Sequence, residues 1–122
     1  MMELSFFLVA AEKRVGAEPG LPRFVQQLQS CEAFDGEEVI LTCTVMGKPK
    51  PEISWFHNDR CIDNSEDFVL NYNRETGKCD CVIVECLPDD QGTFKCVARN
   101  QAGQAQTECR LTWKAPLPKP GE

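Results

Sequence analysis

The sequence predicts an all-β fold, a sandwich of two antiparallel sheets. Short runs in which apolar and polar residues alternate are typical of strands that bury one face. Glycines, prolines and asparagines separate these runs and supply turns. Cys43, Trp55 and Cys96 each lie within one of the alternating runs. The 122 residues have the length of one domain and can bury a core without obligatory bridges.

The first clear strand runs through Cys43. Its apolar residues Val39, Leu41, Cys43 and Val45 alternate with Ile40, Thr42 and Thr44, so one face carries Cys43 inward. Pro49 and Pro51 lack N–H donors and end this strand. Ile53 and Trp55 then share one side of the next strand.

The second half of the chain repeats this pattern. A turn at 88–92 precedes a strand whose inward positions are Phe94, Cys96 and Ala98. A hairpin at 100–103 leads into the last strand, with Thr107, Cys109, Leu111 and Trp113 on one face. Residues 81–86 form another predicted strand that points Cys81, Ile83 and Cys86 inward.

Four motifs carry a resemblance to a known family. They are Gly47-x-Pro49-x-Pro51, Trp55-Phe56, Asp90-x-Gly92 and Ala98-Arg99-Asn100-x-x-Gly103. In this set the chain resembles the I-set immunoglobulin domains, in particular those of titin, of palladin and myotilin, and of the telokin-like end of myosin light chain kinase. The resemblance implies that two cysteines on facing strands pack against a tryptophan. The implied core is Cys43, Trp55, Cys96, Leu41, Ile83, Phe94 and Leu111, with Cys43 and Cys96 as the disulfide pair where the compartment is oxidising.

Phe94 departs from the family pattern. Such domains usually have a tyrosine at this place, whose hydroxyl bonds back to the backbone of the preceding corner. Phenylalanine cannot make that hydrogen bond. We therefore expect Phe94→Tyr to stabilise the domain.

Three segments are expected along the chain. Residues 1–21 form an N-terminal extension, 22–114 the I-set domain and 115–122 a proline-rich tail. The apolar run Leu4–Ala11 is short enough for a signal peptide but lacks a basic start and carries Glu3 before it. The alternative for this extension is a segment that docks on the sandwich or is disordered.

The chain has eight cysteines, more than one sandwich needs for its standard bridge. Cys81, Cys86 and Cys109 are interpreted as small buried hydrophobes, which is tolerated best where thiols stay reduced. Cys31, Cys61 and Cys79 lie in or beside predicted loops and are expected to be exposed. A zinc site from Cys79, Cys81, Cys86 and His57 has the wrong spacing, so no metal or other cofactor is expected.

The residue inventory argues against an enzyme. His57 is the single histidine and lies in a predicted solvated turn, and there is no glycine-rich phosphate loop, so no catalytic residue is assigned. The net charge of −6 and the pI near 4.8 exclude nucleic acid and anionic membranes as expected partners. Lys95, Arg99 and Arg110 can form a basic strip for an acidic filament such as actin, or can be ordinary outward-facing strand residues.

The resemblance implies a function in binding rather than catalysis. We expect a non-enzymatic interaction or spacer module in the cytoplasm, associated with the muscle and actin–myosin cytoskeleton, whose partner is a protein. Partner strands are expected at the sheet edges formed by the family's strands A′, C′, D and G. The alternative is a secreted or cell-surface recognition domain with a Cys43–Cys96 disulfide.

Overall fold

A computed structural model describes residues 20–116, which form nine strands. A 3₁₀ turn at Pro88–Asp90 precedes the eighth strand. None of the residues in this range belongs to a helix long and apolar enough to cross a membrane. The strands are β1 Gly20–Gln26, β2 Cys31–Phe34, β3 Val39–Lys48, β4 Glu52–His57, β5 Arg60–Cys61, β6 Val69–Tyr72, β7 Lys78–Ile83, β8 Gly92–Asn100 and β9 Gly103–Lys114.

The strands form two facing sheets, which confirms the predicted sandwich. One sheet has the order β1-β3-β7-β6 and the other the order β2-β9-β8-β4-β5. The pairs are antiparallel except for β2 and β9, which run parallel with Cys31 opposite Leu111 and Phe34 opposite Lys114. The start of the described chain therefore contributes one strand to each sheet. The extension expected at residues 1–21 and the tail at 115–122 lie mostly outside the described residues.

The structure locates the strands that were expected to form the sheet edges. The family's strands A′, C′, D and G correspond to β2, β5, β6 and β9. In the structure β9 pairs with β8 over Gly103–Leu111 and with β2 over Leu111–Lys114, so its Gly103–Arg110 part forms no ladder with β2. Among the described strands the edges are β1 and β6 in one sheet and β2 and β5 in the other.

The inward faces of the strands build one core. The alternation at Val39–Val45 buries Val39, Leu41, Cys43 and Val45 and leaves Ile40 exposed. Each of the seven residues assigned to the core from the sequence is at most 3% exposed. They are Leu41, Cys43, Trp55, Ile83, Phe94, Cys96 and Leu111.

The expectation that Cys79 is exposed was wrong. β7 begins at Lys78, so Cys79 lies in the strand and alternates inward with Cys81 and Ile83. Cys86 lies beyond the end of this strand and is also fully buried. Its backbone is held there because its N–H donates to Glu37 and its carbonyl accepts from Gly36. Of the other two thiols expected at the surface, Cys61 is exposed and Cys31 is half-buried.

Candidate functional site

Three thiols meet in the middle of the sandwich. Cys43 on β3 is directly opposite Cys79 on β7, and Cys96 on β8 faces them from the other sheet beside Trp55. The three sulfur atoms lie within 4.8 Å of one another, and all three residues are fully buried. All eight cysteines are free thiols in the structure. The Cys43–Cys96 pairing therefore remains a prediction, and Cys79 is a third sulfur that the family resemblance did not indicate.

The surroundings of the thiols set their acidity. Burial raises the pKa of Cys81 to about 12 and that of Cys109 to about 11, because a thiolate loses its hydration in the core. Within the three-thiol cluster, mutual hydrogen bonding and then burial raise the pKa of Cys96. The hydrogen bonds that Cys43 and Cys96 offer to Cys79 act in the opposite direction and lower its pKa.

The cluster is a poor match to a zinc site. Within residues 20–116 it is the one group of three or more histidine, cysteine or acidic side chains that is close enough to hold a metal ion. Structural zinc is almost always four-coordinate, so these three sulfurs are one ligand short. The zinc set considered from the sequence, Cys79, Cys81, Cys86 and His57, is not assembled in the structure.

The basic strip considered from the sequence is interrupted. Lys95 on β8 is opposite Glu108 on β9, and its ammonium lies 3.8 Å from the carboxylate of Asp59. Arg99 is opposite Glu52 on the neighbouring strand β4. These carboxylates alternate with the cations, so this face of the sheet has mixed charge.

A more basic surface lies on the other sheet. A cleft of about 400 Å³ opens between the start of β1, the end of β3 and the turn that joins β6 to β7. Four basic residues and one acidic residue line it. They are Arg23, Lys48, Lys50, Arg74 and Glu75. We call this surface the basic cleft, and it contrasts with the net charge of −6 of the whole chain.

Local folding explains how the basic cleft is built. Arg23 is opposite Met46 in the β1–β3 register, so the two side chains lie on the same face. The Lys50 ammonium donates to the backbone carbonyl of Arg74 and fastens the loop before β4 to the β6–β7 turn. The Arg74 guanidinium lies over the ring of Tyr72, 5.7 Å from its centroid. The Tyr72 hydroxyl donates to the Pro51 carbonyl at 2.9 Å and fixes the ring.

Sequence reasoning missed the basic cleft. Its cations come from positions 23, 48, 50 and 74, which are scattered along the chain and form no charge run. Only the pairing of β1 with β3, and the turn between β6 and β7, bring them to one surface. The one local signal is the basic pair Lys48 and Lys50 beside the prolines.

Comparison with known proteins gives consistent matches. Residues 22–112 match the family model described as the immunoglobulin I-set domain. Titin of Drosophila melanogaster is 36% identical over 95 residues, which is 77% of this chain and, rounded, 0% of titin's length. Cardiac-type myosin-binding protein C of Mus musculus is 39% identical over 95 residues, 78% of this chain and 7% of the relative. The chain thus spans less than a tenth of these relatives.

A solved structure agrees with the sequence matches. The titin domains Z1Z2 in complex with telethonin align with a TM-score of 0.76 and 30% sequence identity. The alignment covers 82% of this chain and 50% of that one. The likeness therefore extends over most of the sandwich.

Proposed function

Because this chain belongs to the immunoglobulin I-set family, we propose that it is a non-enzymatic protein-interaction or spacer module of the muscle and actin–myosin cytoskeleton, located in the cytoplasm. Its homologues include muscle proteins with immunoglobulin domains, among them titin and cardiac-type myosin-binding protein C. The I-set fold is in general a non-catalytic module. The observation that carries the proposal is the agreement of family, relatives and structural neighbours on this one kind of domain.

The surface of the described domain supports binding rather than chemistry. Edge strands β1, β6, β2 and β5 offer backbone groups for pairing with a partner strand. The titin domains of similar structure are in complex with telethonin, which is a protein partner. We propose that this chain likewise takes a protein partner, and that actin- or myosin-associated proteins are the first to test.

Cosedimentation tests the cytoskeletal proposal. The chain is mixed with actin filaments or with myosin filaments and centrifuged, with an unrelated acidic protein of equal size as control. We expect the chain, but not the control, to pellet with one filament type or with a muscle extract that contains its associated proteins. A chain that stays in the supernatant in all cases, and stains diffusely in muscle cells, contradicts the proposal.

One observation favours a second candidate, a secreted recognition domain. The sulfur atoms of Cys43 and Cys96 lie within 4.8 Å of each other, so a bridge between the sheets needs little movement. Alkylation of thiols during lysis of the native cells, followed by mass spectrometry, distinguishes the candidates. Alkylation of all eight cysteines supports the cytoplasmic module, whereas a Cys43–Cys96 disulfide supports the secreted domain.

A further inference from the structure

We propose that the basic cleft binds an acidic segment of a partner protein, in which aspartate or glutamate residues flank an apolar side chain. This inference rests on the proposed function, because it names the chemistry of the partner of an interaction module. The binding would depend on three properties of the cleft. They are its positive charge, its apolar part formed by Leu21, Met46 and Pro51, and its size.

Three cations of the basic cleft form no ion pair in the part of the chain that the structure describes. Among the described residues Arg23, Lys50 and Arg74 take part in no ion pair. The Lys50 ammonium donates to a neutral carbonyl, and the Arg74 guanidinium lies over an aromatic ring. Elsewhere on the domain Lys95 is paired with Asp59 and Lys114 with Glu32. Arg23, Lys50 and Arg74 therefore keep the capacity to bind carboxylates that the paired lysines use internally.

The basic cleft also has an exposed apolar part. Leu21 is 63% exposed and Met46 is 55% exposed, and both line the cleft together with Pro51. Exposed aliphatic groups rimmed by charged residues are typical of surfaces that bind a protein. A ligand that only carries negative charge would leave Leu21 and Met46 in water. A peptide with an apolar side chain between acidic residues satisfies both parts.

Size and overall charge favour a short peptide over a polyanion. A volume of about 400 Å³ accommodates a few side chains. The net charge of −6 repels a long polyanion such as nucleic acid, whereas a short acidic segment interacts mainly with the nearby cations. Free phosphate is also disfavoured as a ligand, because it makes no apolar contact with Leu21, Met46 or Pro51.

Peptide binding to the full chain tests the inference. The probe is a fluorescent peptide, Glu-Leu-Glu-Leu-Glu-Leu, and the matched peptide has glutamine in place of each glutamate. Fluorescence anisotropy measures both. We expect the acidic peptide to bind at least about tenfold more tightly, and its affinity to fall as salt is raised. Equal binding of the glutamine peptide overturns the inference.

Variants locate the binding site. Arg23→Gln and Arg74→Gln remove one cation each from exposed positions, and each should weaken peptide binding by about fivefold or more. Arg110→Gln is the matched control, because it makes the same change at an exposed position of the other sheet. An equal loss in Arg110→Gln shows that binding follows net charge alone and overturns the inference. Displacement of the peptide by millimolar inorganic phosphate also overturns it, in favour of a phosphate site.

Failure of this inference can be told apart from failure of the proposed function. The cosedimentation assay measures the fraction of protein that pellets with filaments, for the unmodified chain and for the Arg23→Gln/Arg74→Gln double variant. If the unmodified chain pellets but does not bind the acidic peptide, the interaction module stands and the cleft assignment is wrong. If the unmodified chain binds the peptide but never pellets, the cleft assignment stands and the cytoskeletal role is wrong.

Discussion

The imidazole of His57 stacks on the ring of Phe94, with the two ring centroids 4.3 Å apart and the planes inclined by 15°. The Nε2 atom of His57 lies 3.2 Å from the carbonyl oxygen of Gln91, which can only accept, so Nε2–H is the donor. Gln91 lies in the corner before β8, which a tyrosine hydroxyl stabilises in related domains. In this chain His57, from β4, donates a hydrogen bond to the backbone of the same corner.

This relationship refines the expectation for Phe94→Tyr. His57→Ala should destabilise the domain by about 1–3 kcal/mol, because it removes both a ring stack and a hydrogen bond. Phe94→Tyr should stabilise by about 0.5–1.5 kcal/mol, and more in the His57→Ala background, where the Gln91 carbonyl keeps only the longer hydrogen bond from Asn58 Nδ2 at 3.5 Å. Urea unfolding of the two single variants and the double variant gives the coupling energy. Strictly additive changes in unfolding free energy would show that the side chains at positions 57 and 94 do not interact through this corner.

Substitution of Gly77 should destabilise the domain by more than the strain of its positive φ alone. Its φ is +83°, and a Cβ there would lie 2.1 Å from the carbonyl oxygen of Val45. Gly36 is the matched control, since its φ is +86° and nothing lies within 4 Å of the position that a Cβ would take. We expect Gly36→Ala to cost about 1 kcal/mol and Gly77→Ala about 2–4 kcal/mol. Denaturant midpoints measure both, and equal losses would show that the contact with Val45 relaxes freely.

Asn100 fastens the β8–β9 turn to the start of the described chain. Its Nδ2 donates to the carbonyls of Gly20 at 2.8 Å and Pro49 at 3.0 Å, and its Oδ1 accepts from the N–H groups of Ala102 and Gly103. Asn100→Asp keeps the acceptor and removes the donors, so it should destabilise by about 2–3 kcal/mol. Gln101→Glu makes the same charge change at an exposed position of this turn and should cost less than about 0.5 kcal/mol. Thermal unfolding compares them, and a similar loss in both would assign the effect to charge.

Stability should fall in alkali because of the buried thiols. The pKa of Cys81 rises from its ordinary 9.0 to about 12 on folding. As the pH is raised, the unfolded chain therefore loses this proton at a lower pH than the folded domain does. The stabilisation from the neutral thiol is therefore complete below pH 9 and is lost as the pH rises toward 12. The expected slope is about 1.4 kcal/mol per pH unit for this thiol. Urea melts at several alkaline pH values should show a shallower slope for Cys81→Val, and an unchanged slope contradicts the assignment.

Much of the sandwich could be predicted from residue patterns. The alternation at Val39–Val45 and at Phe94–Ala98 states which face is buried, and the structure buries that face. Cys79 could not be assigned in the same way, because its burial depends on where β7 begins. Lys78 and Thr44 are opposite each other at that end of the β3–β7 ladder, a long-range pairing that local alternation does not reveal.

The surface was harder to predict than the core. Lys95, Arg99 and Arg110 were expected on the outer face of neighbouring strands, but their charge environment depends on the facing residues. Glu108 lies opposite Lys95 on β9, and Asp59 approaches the Lys95 ammonium from the turn after β4. The basic cleft likewise depends on the approach of distant segments. Sequence patterns define which residues point outward, whereas pairing and turns decide which outward residues become neighbours.

The parallel pairing of β2 with β9 has a mechanical consequence. Tension applied through the two ends of the domain acts first on the pairing of β1 with β3, and then pulls β2 from its amino end and β9 from its carboxyl end. Since the strands run side by side in the same direction, this tension slides them past each other along their length. The hydrogen bonds from Cys31–Leu111 to Phe34–Lys114 then share the load in shear and must break together, rather than opening one after another as in a hairpin. We expect this short ladder at the edge of one sheet to slow unfolding under tension applied between β2 and β9.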